Sequence, residues 1–205
     1  MPPIVSDDYK LKKRQEILAS ALVCFAKKGY QQATMDDIVE QSGVSKGAIY
    51  NYFSSKDEIY REVINQDTLI LDRIVKDELQ TQGSAADKIS FLFDTYLSNN
   101  HKESPLKELF QVFYELRLQS CRDEKIAEFL KQRREHSFVN LVKSIVVDGQ
   151  QRGEIKAGLD AEILAHTYWG MIDGASICVV TDPDYPYKEA LTQMKNMFLA
   201  YLTPE

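Results

Sequence analysis

Residues 34–60, TMDDIVEQSGVSKGAIYNYFSSKDEIY, constrain the fold most, because three helix starts follow one another there at short spacing. Thr34, Ser45 and Ser55 are N-cap residue types, and the acidic residues three positions after Thr34 and Ser55 complete capping-box patterns. Gly43 lies between the first two runs, where a tight turn needs backbone freedom. Two helices of about eight residues joined by such a turn predict a helix-turn-helix, whose second helix lies in the DNA major groove.

The predicted second helix has an anchoring side and an outward side. Val44 and Ile49 have the spacing to hold it against a core. Small residues at positions 47 and 48 let its backbone approach the groove, where Ala48 would touch a thymine methyl and Asn51 would pair with adenine. Lys46 fits either a guanine or a phosphate contact. The residues that can reach base edges or phosphates are Ser45, Lys46, Gly47, Ala48, Tyr50 and Asn51.

Charge is unevenly distributed along the 205-residue chain, whose net charge is −6. Residues 9–56 contain eight Lys or Arg and four Asp or Glu, so they carry +4 and the remainder carries −10. This asymmetry indicates that only the N-terminal part meets a polyanion. Lys10, Lys12 and Lys13 fit either a basic arm that grips DNA or an ordinary solvated helix face. The acidic remainder argues against unspecific coating of nucleic acid.

The whole chain is predicted to be helical, because strand-like alternation is rare and turn signals recur at helix-length intervals. We expect an all-α protein of about nine helices, with a boundary inside the fourth. The N-terminal head, residues 1–60, would be a three-helix DNA-binding domain, and the body, residues 61–205, a helical bundle. The first helix should end at Gly29 and the fourth near Gly83. The predicted helices begin near Tyr9, Thr34, Ser45, Ser55, Ser84, Ser104-Pro105, Asp123, Asp160 and Tyr187.

One run, ILASALVCFAKKGYQQATMDDIVEQSGVSKGAIYNYFSSKDEIY, has a specific order of features. A Phe and a Gly close the first helix, and a Thr cap, a Gly-Val turn, a Tyr-x-Tyr-Phe and a Lys-x-Glu follow. In these features residues 9–60 resemble the DNA-binding domain of the tetracycline-repressor (TetR) family of transcription regulators. The remainder resembles the family only in length and helical character. The matching positions are Phe25, Gly29, Thr34, Ile38, Gly43, Val44, Tyr50, Phe53, Lys56 and Glu58.

The resemblance implies a homodimer whose two heads read a palindromic double-stranded operator, with half-sites about 34–36 Å apart. By analogy, Thr34, Tyr50, Tyr52 and Lys56 would contact phosphates, while residues 45–51 read bases. Family members often have His in place of Tyr52, but a phenol hydroxyl can also donate to a phosphate. Packing remains an alternative role for Tyr50 and Tyr52. The implied function is a ligand-responsive regulator, a repressor by preference, that a small molecule releases from DNA.

The body is rich in aromatic residues, with one Trp, seven Phe and six Tyr in residues 61–205. Such residues form either plain core or a pocket, and the resemblance implies a pocket for a small-molecule effector, with a hydrophobic effector as one option. Asp173 lies among apolar residues and needs a partner, either a Lys or Arg of the protein or a cationic ligand. The candidate ligand-binding residues are Phe93, Tyr96, Phe110, Phe113, Tyr114, Phe138, Trp169 and Asp173.

A stripe of small residues is the candidate dimer interface. Gly170, Gly174 and Cys178 recur every four residues and would let helices approach closely. In family members the last two helices pair with those of the second protomer as a four-helix bundle. Packing within one chain is the alternative role for the same spacing.

Enzymatic chemistry is not predicted. His101, His136 and His166 form no close pair, and no HExxH, GxSxG or phosphate-binding loop occurs in the sequence. The three cysteines lack metal-ligand spacing, so we expect no metal and no cofactor. The remaining alternative is a DNA-binding architectural or partner-recruiting protein of the same fold that has no small-molecule ligand.

The cytoplasm is the expected location. The N-terminal residues contain no apolar stretch long enough for a signal peptide, and scattered cysteines suit a reducing compartment. Residues 163–180 form the longest apolar run, but Asp173 lies within it. Because a charge at mid-bilayer is costly, a helix buried between protein layers fits this run better than a membrane span.

Overall fold

A computed structural model describes residues 6–98 and 106–204 of the chain. All regular structure within these two ranges is helical, which confirms the all-α prediction. A π-helical segment, Arg134–Val139, joins the helices Glu124–Arg133 and Asn140–Gln151 into one continuous helix. Counted in this way, these ranges contain nine helices, as predicted. The ten α-helices of the two ranges are α1 (Asp7–Gln32), α2 (Met35–Ser42), α3 (Lys46–Tyr50), α4 (Lys56–Leu79), α5 (Ala85–Leu97), α6 (Leu106–Ser120), α7 (Glu124–Arg133), α8 (Asn140–Gln151), α9 (Ala161–Thr181) and α10 (Tyr187–Leu202).

Side-chain caps start the two helices of the helix-turn-helix at the predicted positions. Thr34 Oγ1 accepts a hydrogen bond from the Asp37 N–H at 3.2 Å, and the Asp37 carboxylate accepts one from the Thr34 N–H at 2.9 Å. Ser45 Oγ caps α3 by accepting from the Ala48 N–H at 3.3 Å. Gly43 ends α2 with φ 65° and ψ 10°, in the left-handed region that favours glycine. The turn chemistry of the sequence therefore forms as predicted.

Gly29 interrupts α1 where the sequence predicts its end. Its φ of 72° and ψ of 156° are non-helical, so the chain kinks there and runs on for a short stretch to Gln32. This backbone region is essentially restricted to glycine. The kink positions Ala33 and the Thr34 cap at the start of α2.

Two helix boundaries differ from the prediction. The second helix of the motif, α3, covers five residues rather than 45–52. It ends early because the N–H groups of Tyr52 and Phe53 both bond to the Ile49 carbonyl, at 2.9 and 3.0 Å, and close the chain into a turn. Helix α4 ends at Leu79, short of the predicted stop near Gly83.

The predicted capping box of α4 was wrong in one partner. Ser55 does cap the helix by accepting from the Glu58 N–H at 3.1 Å. The Glu58 carboxylate, however, accepts from the N–H of Ser54 at 2.7 Å and from its hydroxyl at 2.6 Å, one residue earlier than expected. The predicted start of the sixth helix, Ser104-Pro105, lies outside the described residues.

Buried side chains form two clusters, one in the head and one in the body. The head cluster contains Ile17, Phe25, Ile38, Ile49 and Phe53, and it also takes in residues of α4, α6 and α7. The body cluster is built from α5, α8, α9, α10 and the π segment. The division of the chain into residues 1–60 and 61–205 stays a prediction. The packing shows that α6 contributes to the head's own core.

Candidate DNA-binding surface and interior effector site

Helix α3 is held by a single fully buried side chain and exposes most of the others. Ile49 is inaccessible and Val44 is partly buried against the head cluster, so these two residues anchor the helix as predicted. Tyr50 is 47% exposed, which fits a contact residue better than a packing residue. Of the nine predicted DNA-contact residues, Ala48, Tyr52 and Lys56 are partly buried, and the exposed ones are Thr34, Ser45, Lys46, Gly47, Tyr50 and Asn51.

The charge of Lys46 is paired within the motif. Its Nζ lies 2.7 Å from a carboxylate oxygen of Asp36 on α2, and both side chains are largely exposed. This carboxylate raises the pKa of Lys46, chiefly through their hydrogen bond. Because exposed pairs of this kind contribute little to stability, the pair can exchange for a phosphate or a base at small cost.

Lys56 is engaged inside the head rather than extended into solvent. Its Nζ donates to the carbonyl oxygens of Tyr30 at 2.7 Å and Ala33 at 2.8 Å. The same atom lies 4.3 Å from the centroid of the Tyr30 ring. Burial lowers the pKa of Lys56. The ammonium group thus ties the first turn of α4 to the end of α1.

Tyr52 and Asn51 border a surface groove between the end of α3 and the start of α1. The groove has a volume of about 530 Å³, and Lys10 and Arg14 lie along it together with two acidic residues of the first turn of α1. Tyr52 also packs partly against the head cluster. The structure therefore leaves Tyr52 able to serve packing and an outward contact at once.

Helix α6 links the head to the body through hydrogen bonds on its head-facing side. Both carboxylate oxygens of Glu115 accept from the Tyr30 N–H, at 2.9 and 3.0 Å. Gln111 Nε2 donates to the Ala26 carbonyl at 2.9 Å, and the Tyr60 hydroxyl donates to the Val112 carbonyl at 2.9 Å. A movement of α6 would consequently displace the kink of α1, which precedes the helix-turn-helix.

The other side of α6 is fastened to α9. The Arg117 guanidinium lies 2.7 Å from a carboxylate oxygen of Asp173, and the Tyr114 hydroxyl donates to the Asp173 carbonyl at 2.9 Å. Asp173 therefore has a partner within the protein, one of the two options predicted for it. Arg117 also lies near the rings of Phe113 and Tyr114. One helix thus contacts both the head and the centre of the body.

The predicted ligand-binding residues fall into two groups in the structure. In the first group, Trp169 meets Phe138 edge-on at 4.7 Å between ring centroids, and it lies 6.2 Å from Tyr96. Phe93 joins that group through Tyr168, at 4.7 Å. The second group lies on α6, where Tyr114 contacts Phe110 and Phe113.

The Arg133 guanidinium bridges the two groups. It lies over the Phe113 ring at 5.0 Å and over the Phe138 ring at 4.7 Å. The interior of the body is thus a region of aromatic faces with a positive charge between them.

Among the buried polar atoms of α9 that lack a hydrogen-bond partner within the described ranges are two on adjacent residues, the Tyr168 hydroxyl and Trp169 Nε1. Tyr168 is fully buried and Trp169 is 8% exposed. Burial raises the pKa of Tyr168 well above its usual value, so its hydroxyl stays protonated and can donate. An unpaired buried donor costs about 1–3 kcal/mol, which marks this spot as one where an incoming group can add hydrogen bonds.

Sequence reasoning missed Arg117, Arg133 and Tyr168. A signal existed for Arg117, because it follows Phe113 by four residues and Tyr114 by three, the spacing of one helix face. No comparable pattern identified Arg133, since its contact with Phe138 depends on the π segment. A Tyr beside Trp169 in an apolar run is typical of plain core, so the sequence gives no signal for Tyr168.

The stripe of small residues on α9 faces open space in the isolated chain. A Cβ added at Gly170 or Gly174 would meet no atom within 4 Å. Cys178, one turn further on, is partly exposed. Large apolar side chains are also exposed on the last two helices, Ile163 on α9 and both Met197 and Tyr201 on α10. An uncovered face of this composition is typical of a protein–protein interface.

In the described part of the chain, α9 is the one helix with the length and apolar composition of a membrane span. It packs against α6, α8 and α10 and supplies buried residues such as Tyr168 and Ile172 to the body cluster. A core helix of a bundle has the same composition, so α9 is explained without a membrane.

Comparisons with known proteins agree with this architecture. Residues 17–63 match the tetR family of bacterial regulatory proteins, and residues 85–203 match the C-terminal domain of BetI-type transcriptional repressors. The HTH-type transcriptional regulator YfiR of Bacillus subtilis (strain 168) is 30% identical over 175 residues, which are 85% of this chain and 83% of YfiR. The fatty acid metabolism regulator protein of the same strain is 28% identical over 169 residues, 80% of this chain and 81% of that protein.

Solved structures with the same fold include two that hold different ligands. FadR from Bacillus subtilis in complex with stearoyl-CoA has a TM-score of 0.80 at 23% identity, covering 92% of this chain and 98% of that one. A transcriptional regulator from Saccharomonospora viridis in complex with choline also has a TM-score of 0.80, at 22% identity, covering 95% and 100%. At such identities the likeness establishes the fold.

The head and body together define a helix-turn-helix transcriptional regulator of the repressor type. The chain belongs to the tetR family of bacterial regulatory proteins, with a C-terminal domain of the BetI type. The resemblance seen in residues 9–60 is thereby confirmed and extended over the body.

Proposed function

We propose that this protein is a homodimeric repressor that binds a palindromic DNA operator and is released from it by a small molecule. The observation that carries the proposal is the exposed α3, which Ile49 anchors behind the Gly43 turn, in a segment, residues 9–56, of net charge +4. The acidic body keeps its own charge away from the DNA. In such an arrangement the two heads would lie one DNA turn apart, about 34–36 Å. A regulator of this kind works in the cytoplasm.

The proposed contacts to DNA follow from which side chains of the head are exposed. Thr34 and Tyr50 would donate to phosphates, as would the partly exposed Tyr52, while residues 45–51 would meet base edges. Lys56 would act differently from the sequence expectation, because two of its three ammonium protons are directed at backbone carbonyls. Its role in this proposal is to hold α4 against the end of α1, next to the Thr34 cap.

The dimer would form through the exposed face of α9 and α10. The open space above Gly170 and Gly174 allows another helix to approach closely, and Ile163 and Met197 would supply buried apolar area. Cys178 would continue this face toward the end of α9.

The effector would bind in the interior of the body, between the aromatic groups of α5, α6, α9 and the π segment. The predicted lining residues Tyr96, Phe138 and Trp169 meet there, and Asp173 joins that region to α6. Solved relatives hold either an acyl-CoA or choline in complex, which supports a small-molecule effector of some kind. We expect a coupling free energy between effector and operator binding of about 1–3 kcal/mol.

Dimerisation and operator reading can be tested together with Gly174→Leu. In the isolated chain this side chain enters open space, so the fold is retained, whereas it would block the approach of a second helix. We expect the variant to sediment as a monomer and to lose affinity for a full palindrome while keeping its weak affinity for a single half-site. Gly158→Leu, at another open glycine far along the sequence, serves as the control. A Gly174→Leu protein that remains dimeric would contradict the proposed interface.

A further inference from the structure

The interior of the body contains a buried hydrogen-bond donor that only an acceptor can satisfy. The indole N–H of Trp169 can only donate, and it is buried without a partner in the described ranges. The Tyr168 hydroxyl is equally unpartnered there, and the two rings lie 5.0 Å apart between centroids. A group that enters this region is therefore favoured if it brings acceptor oxygens.

A positive charge lies next to the π segment, separated from Trp169 by the ring of Phe138. In an α-helix, residues five apart point in different directions, whereas a π-helix has an i→i+5 repeat that brings them to one side. Arg133 immediately precedes the segment and Phe138 lies within it, and the guanidinium consequently rests over the Phe138 ring at 4.7 Å. That ring is itself 4.7 Å from the Trp169 ring. Two of the aromatic faces that a foreign cation could use, those of Phe113 and Phe138, already hold the Arg133 guanidinium.

The carboxylates of the neighbouring helices are engaged as well. Asp173 on α9 is paired with Arg117 at 2.7 Å, and Asp94 on α5 is paired with Lys195 at 2.7 Å. A cationic ligand that took either carboxylate as its counter-charge would have to displace the side chain now paired with it.

We propose that the effector presents an acceptor oxygen, a carbonyl or a carboxylate on an apolar body, to Trp169 Nε1 and the Tyr168 hydroxyl, and that quaternary ammonium compounds are not effectors. This inference rests on the proposed function for its regulatory meaning, but the binding chemistry stands on the interior geometry alone. Solved relatives bind two chemical classes of ligand, and this inference favours the acyl class. A free carboxylate and an acyl ester share the acceptor oxygen and are distinguished by the probes below.

Trp169 is the single tryptophan of the chain, so its fluorescence reports on the site directly. The test titrates the full-length protein with decanoate, methyl decanoate and decyltrimethylammonium, which have a ten-carbon chain in common and differ in head group. We expect a saturable change in emission with decanoate, with methyl decanoate or with both, and a much weaker one with the ammonium probe. Binding of decanoate alone would identify an anionic effector. Binding of both decanoate and methyl decanoate would identify the acyl carbonyl as the group that is recognised.

Tyr168→Phe removes one donor and keeps the ring. Because the hydroxyl has no partner in the described ranges, the variant should be as stable as the parent protein or more so. Its affinity for the oxygen probes should fall by about three- to tenfold, the value of one hydrogen bond. Tyr9→Phe removes an exposed hydroxyl of α1 and should change neither quantity.

Several outcomes would overturn the assignment. Equal or tighter binding of decyltrimethylammonium would do so, as would the absence of any response to both oxygen probes. A clear loss of stability in Tyr168→Phe would show that the hydroxyl is already bonded. Operator titration in the same samples separates this inference from the proposed function: a protein that binds oxygen probes but no operator DNA contradicts only the latter.

Discussion

Replacement of Lys56 by methionine distinguishes two roles for one ammonium group, a phosphate contact and an internal clamp. Methionine keeps an unbranched side chain but removes the charge and all three donors. In the structure the ammonium donates to the carbonyl groups of Tyr30 and Ala33 at 2.7 and 2.8 Å. We therefore expect the clamp role, with the loss seen first in the stability of the head.

The size of the effect follows from these contacts. A hydrogen bond to a charged group contributes about 1.5–3 kcal/mol, and two bonds that share one partly exposed ammonium fall short of twice that value. We expect Lys56→Met to lower the free energy of unfolding by about 2–3 kcal/mol. Urea denaturation followed by far-ultraviolet circular dichroism measures this change.

The second readout is the salt dependence of operator binding. Loss of one phosphate contact makes the slope of log K against log salt shallower by about 0.9. Lys56→Met should leave the slope unchanged under conditions where the variant is folded. The matched control is Lys46→Met on the exposed recognition helix, which should leave stability unchanged and make the slope shallower. A Lys56→Met protein of normal stability with a shallower slope would refute the clamp.

Three further predictions concern the head and its link to the body. Gly29→Ala should cost about 1–3 kcal/mol, because Gly29 occupies a backbone region that side chains do not tolerate; thermal unfolding beside Gly158→Ala, at an open site, checks it. The hydrogen bond from Lys28 holds the pKa of Asp37 at about 2, below its usual 3.8. The stability that the Asp37 carboxylate contributes is therefore present above pH 3.8 and is lost as the pH falls toward 2. Asp37→Asn should flatten that part of the curve of unfolding free energy against pH. Glu115→Ala should leave operator and effector affinities nearly normal when each is measured alone but weaken release, and full release by effector would count against the α6 link.

The head was predictable from sequence because its determinants are local. The Thr34 cap and the Gly43 turn depend on contacts within three or four residues, and the Gly29 stop depends on the backbone freedom of glycine itself. Such determinants can be recognised from the order of residue types. The Ser55 cap was predictable for the same reason. The Glu58 carboxylate differed because Ser54 offers an N–H and a hydroxyl together, and the sequence pattern alone does not rank these donors.

The body was predictable only as a set of helices. Which aromatic residues meet depends on how α6, α9 and the π segment pack, and that is decided by contacts between residues far apart in the chain. The partner of Asp173 was expected to be a Lys or an Arg, but its identity as Arg117 required the crossing of two helices. The place of Arg133 depended on a π-helical segment, which has no reliable sequence signature.

Selection of random-sequence duplex DNA by the purified protein, at about physiological salt, tests the central claim most directly. The selection is run in parallel with Tyr50→Ala, which removes the exposed aromatic side chain of α3 and leaves the Ile49 anchor in place. We predict enrichment of a palindrome whose two half-sites are centred about one helical turn apart, and loss of that enrichment in the variant. A folded, dimeric protein that enriches no motif would contradict the account of an operator-reading repressor.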